Sequence, residues 1–153
     1  MNVVVLYGTE SGNSELVAED IAEALSHIEI SIFDMINFNV ADLSPDNFYL
    51  IICSTYGEGE LPAGARLFFA ALSELKPDLS GLRYGMFGLG DRSYQETYSQ
   101  GSEIMDRKFV ELGALRIGEY GRHDASSFET ASDIAIEWAR TIIESATMVT
   151  DNT

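Results

Sequence analysis

The sequence contains very little cysteine, proline and positive charge. Cys53 is the only cysteine among 153 residues, so an intrachain disulfide is excluded and a reducing, cytoplasmic location is expected. Only 3 residues are proline, and no apolar run approaches the roughly 20 residues of a membrane span. No basic residue precedes the first apolar run, so we expect no secretory signal.

Positive charge is absent from the first 65 residues. That stretch carries 11 acidic residues and no Lys or Arg, while the whole chain has 25 acidic and 9 basic residues and a net charge of −16. Nucleic acids and anionic membranes bind proteins largely through neutralisation of their phosphates, so neither is expected as a partner. A surface this acidic favours basic partners instead.

Apolar runs alternate with helical stripes along the chain. Continuous or alternating apolar runs predict strands at residues 2–7, 29–33, 48–53, 83–89 and 115–119. Apolar residues spaced three or four apart predict helices at residues 17–28, 67–75, 104–112 and 134–146. This alternation predicts an α/β fold, with a parallel sheet of about five strands and helices on both faces.

The remaining segments are expected to be irregular. Residues 34–47 are expected to form a loop or an irregular crossover, and residues 148–153 a frayed polar tail. We find no internal repeat and no linker, so residues 1–147 are expected to form one domain.

The loop after the first strand has the composition of an anion site. It consists of Gly8-Thr-Glu-Ser-Gly-Asn-Ser14 and opens the first helix. Backbone N–H groups at a helix start bind anions, and hydroxyl groups add donors. The lysine of a nucleoside-triphosphate loop and the glycine spacing of a dinucleotide fold are both lacking, which favours a single phosphate held by neutral donors. The alternative is an ordinary helix cap formed by Ser11 or Asn13.

Two further loops place tyrosines beside glycines. Ser54-Thr-Tyr-Gly-Glu-Gly-Glu60 follows the third strand, and Gly88-Leu-Gly-Asp-Arg-Ser-Tyr94 follows the fourth. Tyr56 and Tyr94 would cover the two faces of a planar ligand, although each loop alone is also compatible with a surface turn. Ligands of open parallel sheets bind at the carboxyl ends of the strands, where all three loops are expected to meet.

With these loops, the sequence resembles the flavodoxins, in particular short-chain bacterial flavodoxins of the MioC-like kind. The pattern Thr9-x-Ser11-Gly12-x-Ser14 is similar to the flavodoxin phosphate loop. The segments Ser54–Glu60 and Phe87–Tyr94 resemble the FMN loops of diflavin reductases. The resemblance covers nearly the whole chain. It implies a flavodoxin-like three-layer fold, with a five-stranded parallel sheet in the order 2-1-3-4-5, and it implies FMN as the cofactor.

The resemblance also implies roles for individual residues. Hydroxyls and backbone amides would bind the phosphate of FMN at Thr9, Glu10, Ser11, Gly12, Asn13 and Ser14. The flavin ring would be held by Ser54, Thr55, Tyr56, Gly57, Glu58, Gly59, Leu89, Gly90, Asp91, Ser93 and Tyr94. Asp124 is a further candidate. We expect no catalytic residue and no metal ligand, a packed Cys53, and exposed side chains at His27 and His123.

The implied function is one-electron transfer by a monomeric carrier. Its partners would be a flavodoxin or ferredoxin NADP reductase and an iron–sulfur or haem acceptor. The alternative is an FMN-dependent NAD(P)H:quinone reductase of the same fold. A flavin-free acidic binding module is also considered. A receiver-type signalling domain is disfavoured, because Cys53-Ser54-Thr55 stands where its phospho-accepting aspartate is required.

Overall fold

The computed structural model describes residues 2–10, 12–55, 60–90, 100–124 and 130–151, with side chains up to residue 148. The strands in these ranges are β1 (Asn2–Gly8), β2 (Ile30–Asp34), β3 (Asn47–Ser54), β4 (Arg83–Gly90), β5 (Leu115–Arg116) and β6 (Gly121–Asp124). The helices are α1 (Asn13–Ala24), α2 (Ala63–Leu75), α3 (Gln100–Glu111) and α4 (Ala131–Asp151). Two short 3-10 helices, Met35–Asn37 and Val40–Asp42, connect β2 to β3.

The strands form one parallel sheet. Its order is β2-β1-β3-β4-β5, and β6 also pairs with β4. This confirms the predicted order 2-1-3-4-5. The apolar runs account for the central strands β1, β3 and β4, which are buried almost throughout, because strands covered on both faces need apolar side chains.

Alternate residues of each strand build two separate cores. Val3 and Val5 of β1 face the core that α1 and α4 cover, whereas Val4 and Leu6 face the core under α2 and α3. All four side chains are buried. The three layers and the helices on both faces are therefore confirmed.

Only the first part of the predicted fifth strand forms, as β5 at Leu115–Arg116, and a further strand, β6, follows at Gly121–Asp124. β5 pairs with the start of β4, and β6 pairs with its end. Between them Gly118 has a φ of +73°, a left-handed conformation that interrupts an extended strand. The prediction of a continuous strand at residues 115–119 was wrong, since a glycine allows this turn and the Ile142 side chain fills the space beside it.

Two irregular segments are more ordered than expected. The crossover at residues 34–47 contains the two 3-10 helices, whose first turns are capped by the side chains of Asp34 and Asn39. The helix α4 continues to Asp151, so the expectation of frayed chain from residue 148 is wrong for residues 148–151. Among the described residues, no helix is long and apolar enough to cross a membrane.

Candidate functional site

The parallel register brings the strand ends to one edge of the sheet. Gly8 at the end of β1 pairs with Cys53 of β3, Ser54 of β3 pairs with Leu89 of β4, and Gly90 pairs with Asp124 of β6. The first loop and the described ends of the other two loops therefore lie side by side. This juxtaposition was the basis of the sequence prediction, and the register accounts for it.

The first loop folds back on itself before α1 begins. The backbone N–H of Gly12 donates to Thr9 Oγ1 at 2.8 Å. Gly12 is the residue that precedes the helix, with a φ of +94° and no side-chain cap. The alternative of Asn13 as an ordinary cap is therefore wrong, because Asn13 is already the first helical residue. Gly12 has no side chain to cap the helix, and backbone N–H groups at a helix start are the kind of donor that an anion requires.

A hydroxyl pair joins the first loop to the second. Ser14 is fully buried, and its Oγ lies 2.6 Å from Ser54 Oγ. The two side chains come from α1 and from the end of β3. This contact fixes the first turn of α1 against the adjoining strand, so that both hydroxyls belong to one polar cluster.

The start of α2 supports the first loop from the neighbouring side. Gly64 N donates to Thr9 O at 3.0 Å, and Ala63 N donates to Glu10 Oε2 at 2.5 Å. A Cβ at residue 64 would lie only 2.7 Å from Thr9 O. The carboxylate of Glu10 therefore caps α2, a role that the sequence analysis missed. The sequence Pro62-Ala-Gly64 at a helix start is the signal that suggests such a close approach.

The ends of the second loop are anchored on both sides. Thr55 N donates to Leu89 O at 2.9 Å, and Thr55 Oγ1 accepts a hydrogen bond from Gly101 N at 3.0 Å. At the other end, Glu60 lies 3.6 Å from Arg66 in an exposed ion pair. These contacts fix the points where the loop leaves and rejoins the fold.

Several predicted site residues lie outside the described residues. These are Ser11, Tyr56, Gly57, Glu58, Gly59, Asp91, Ser93 and Tyr94. The described ones, which lie at the common edge, are Thr9, Glu10, Gly12, Asn13, Ser14, Ser54, Thr55, Leu89 and Gly90. The two tyrosines expected over the flavin ring therefore remain predictions.

The burial of several ionisable side chains tests further expectations from the sequence. Burial raises the pKa of the Cys53 thiol to about 12, which agrees with the expected packed cysteine. Burial, followed by the carboxylates of Asp34 and Glu15, raises the pKa of Tyr7 to about 12.

His123 is buried in β6, so the expectation that it is exposed was wrong, while His27 is exposed. His123 pairs in register with Leu89, which places it in the sheet.

The described donor set fits a phosphate monoester. The start of α1 offers backbone N–H groups, and the hydroxyls of Thr9 and Ser14 lie beside it. The loop residues 8–10 and 12–14 include no Lys or Arg. Neutral donors at a helix start suit one phosphate group, whereas a triphosphate is normally met by a lysine.

The comparisons with known proteins agree with this geometry. The family model for flavodoxin matches residues 5–138. The chain belongs to the flavodoxin family. It is 31% identical over 137 residues to Protein MioC of Escherichia coli O157:H7, with 90% of this chain and 92% of that protein covered.

One further relative and one solved structure extend the comparison. NADPH–cytochrome P450 reductase of Cavia porcellus is 35% identical over 130 residues, which are 80% of this chain and 19% of the reductase. The structure of a cysteine-to-serine mutant of flavodoxin from Pseudomonas aeruginosa superposes with a TM-score of 0.81 at 31% identity, covering 95% of this chain and 99% of that one. The resemblance drawn from the three loops is confirmed. The chain is a flavodoxin-type, flavin-binding electron-transfer domain.

Proposed function

We propose that this flavodoxin-family protein is a one-electron carrier that binds FMN non-covalently through residues 1–147. The observation that carries the proposal is the hydroxyl-lined start of α1, where Gly12 provides no side-chain cap and Thr9 and Ser14 lie close by. That donor set matches the phosphate of a flavin mononucleotide. Bound FMN supplies a centre that takes up and releases electrons, while the protein supplies binding and electrostatics.

The protein's own residues have distinct tasks in this proposal. The hydroxyls of Thr9 and Ser14 and the backbone N–H groups from Glu10 to Ser14 bind the phosphate. Ser54 orients Ser14, since their oxygens are 2.6 Å apart. Tyr56 and Tyr94 would cover the two faces of the ring and exclude water from them. Backbone amides and side chains of the second and third loops would hydrogen-bond the ring edge, including those of Gly57, Glu58, Gly59, Leu89, Gly90, Asp91 and Ser93.

The charge distribution supports electron exchange with basic partners. The first 65 residues, which include the first two flavin loops, carry 11 carboxylates and no Lys or Arg. We propose an NAD(P)H-dependent flavodoxin or ferredoxin reductase as the electron donor and an iron–sulfur or haem protein as the acceptor. The relative from Cavia porcellus, named NADPH–cytochrome P450 reductase, supports this class of partner. A monomeric state and a cytoplasmic location remain predictions.

The first test is a flavin titration of the purified apoprotein. We expect FMN to bind with quenching of its fluorescence, and riboflavin, which lacks the phosphate, to bind about 100-fold more weakly. Equal affinities for FMN and riboflavin would contradict the phosphate site. A protein that binds neither flavin would be an acidic binding module.

The second measurement distinguishes a carrier from an enzyme. The visible spectrum is recorded while the reconstituted protein is reduced in steps. Two separate one-electron steps are expected, with a long-wavelength absorption that rises and then falls. Direct bleaching together with NADH consumption in the absence of a reductase would instead indicate the quinone reductase.

A further inference from the structure

The segment between β5 and β6 is attached to the first half of α3 by polar contacts. The hydroxyl of Tyr120 donates to Ser102 Oγ, and Ser102 is fully buried. On its other side the same segment meets α4, where Trp138 Nε1 donates to Glu119 O at 3.0 Å. The segment between β5 and β6 therefore connects α3 with α4 through hydrogen bonds.

Two arginines hold the ring of Tyr120 and also pair with α3. The guanidinium carbons of Arg116 and Arg122 lie 5.3 Å and 4.1 Å from the ring centroid. Arg116 binds Asp106 at 2.8 Å, and Arg122 binds Glu103 at 2.8 Å. Cation–π contact orients each guanidinium while its N–H groups remain available for a carboxylate.

The sheet also contributes a contact to the polar network around Tyr120, through Tyr84 and Asp106. Tyr84 of β4 donates its hydroxyl to Asp106 Oδ1 at 2.6 Å. Burial raises the pKa of both Tyr84 and Tyr120, so both hydroxyls keep their protons and act as donors. The carboxylate of Asp106 therefore binds both Tyr84 of the sheet and Arg116. The first half of α3 is fixed in rotation as well as in position.

The first turn of α3 lies against both ends of the second loop. Gly101 N donates to Thr55 Oγ1 at 3.0 Å. A Cβ at residue 101 would lie 2.8 Å from Ser54 O and 2.8 Å from Glu60 O, so the helix backbone touches the loop on both sides. In the chain, the third loop lies between the end of β4 at Gly90 and the start of α3 at Gln100. Any movement of this helix start shifts the attachment points of both loops.

We infer that Tyr120, with Arg116 and Arg122, is a positioning residue for flavin binding, acting through the start of α3. The inference rests on the proposed function, since the second and third loops are the proposed ring-binding loops. Directional hydrogen bonds and ion pairs fix the rotation of a helix more strictly than apolar contact does, because apolar contact is non-directional. The chain places two of its 9 basic residues at this one ring.

The test compares two ends of α3. Tyr120→Phe removes the bond to Ser102 and keeps the ring, and Arg122→Gln breaks the pair with Glu103. Glu111→Gln is the matched control, because it breaks the pair between the exposed Glu111 and Lys108 at the far end of the helix. We expect Tyr120→Phe and Arg122→Gln to weaken FMN binding about tenfold and Glu111→Gln to leave it within about twofold. Arg122→Lys, which keeps the charge, is expected to recover part of the affinity.

A second readout separates positioning from general stability. Hydrogen exchange of the apoprotein is expected to speed up at Thr55 and Gly101 in Tyr120→Phe and to stay unchanged there in Glu111→Gln. Lower thermal stability with unchanged FMN affinity and unchanged exchange at these amides would overturn the inference. If the wild-type protein binds no FMN, the proposed function fails, and the exchange data still decide whether Tyr120 positions the loop.

Discussion

At the scale of single residues, the site depends on close backbone approaches that only small residues permit. Gly64 lets the start of α2 reach the carbonyl of Thr9, and the backbone N–H of Ala63 donates to the carboxylate of Glu10, which caps the helix. The two residues of this capping contact, Glu10 and Ala63, are 53 positions apart in the sequence. The first loop is therefore shaped by a helix that begins far away along the chain.

A single methyl group at residue 64 is expected to disturb the phosphate site. In Gly64→Ala the new Cβ would lie 2.7 Å from Thr9 O and 3.0 Å from Thr9 N, so the backbone of the loop must shift. We expect a loss of about 1–3 kcal/mol in the free energy of unfolding and a clear loss of FMN affinity. Chemical denaturation and flavin titration measure the two effects.

The control is a substitution on the same helix that is expected to lower the free energy of unfolding by a comparable amount. Ala70→Gly changes an exposed position of α2 away from Thr9, and it is expected to cost about 1 kcal/mol through helix propensity alone. FMN affinity should be unchanged in this variant. If both variants bind FMN as the wild type does, the contact at Thr9 does not shape the site.

At the scale of elements, the two-part fifth strand is the main departure from the sequence prediction. The residues 115–119 carry a weak apolar pattern, but β5 pairs only two residues before the chain turns at Gly118. β6 then resumes pairing with β4 and places Asp124 beside Gly90 at the site edge. Pairing with a neighbouring strand and packing against α4 therefore set the strand boundaries.

The turn at Gly118 makes a prediction for stability. Gly118→Ala adds a side chain at a φ of +73° and into the Ile142 side chain, so we expect a loss of about 2–4 kcal/mol. Ile142→Val removes the Cδ1 atom that obstructs the new methyl group. In the double variant, the loss should be smaller than the sum of the two single losses. Strictly additive losses in denaturation would mean that Ile142 does not cause the strain.

At the scale of the whole molecule, two apolar cores oppose a strong charge imbalance and contain buried ionisable groups. The net charge of −16 favours unfolding through mutual repulsion, and the two apolar cores hold the chain together against it. Cys53 and Tyr7 lie within these cores and keep their protons there. The stability of the molecule is consequently sensitive to alkaline pH.

Stability should fall as the pH rises above 9. The Cys53 thiol has an ordinary pKa of 9.0, which burial raises to about 12, so between these values the native state holds a proton that the unfolded state has lost. This difference of one bound proton between the two states lowers the free energy of unfolding by up to about 1.4 kcal/mol per pH unit. Cys53→Ala should show a shallower slope from pH 9 to 10. Identical slopes for both proteins in denaturation series would contradict this account.

The sequence alone determined the parallel sheet, its order through the family resemblance, and the clustering of three polar loops at one edge. Continuous apolar strands and polar loops are local patterns, and parallel strands necessarily bring their carboxyl ends together. Only the tertiary structure decided that Glu10 caps α2, that the chain turns at Gly118 after β5, and that Tyr120 joins α3 to the segment between β5 and β6. Each of these contacts joins segments distant in sequence, or depends on a neighbour's side chain filling a particular space. A local pattern such as Pro62-Ala-Gly64 can suggest a close approach, but it does not identify the partner residue.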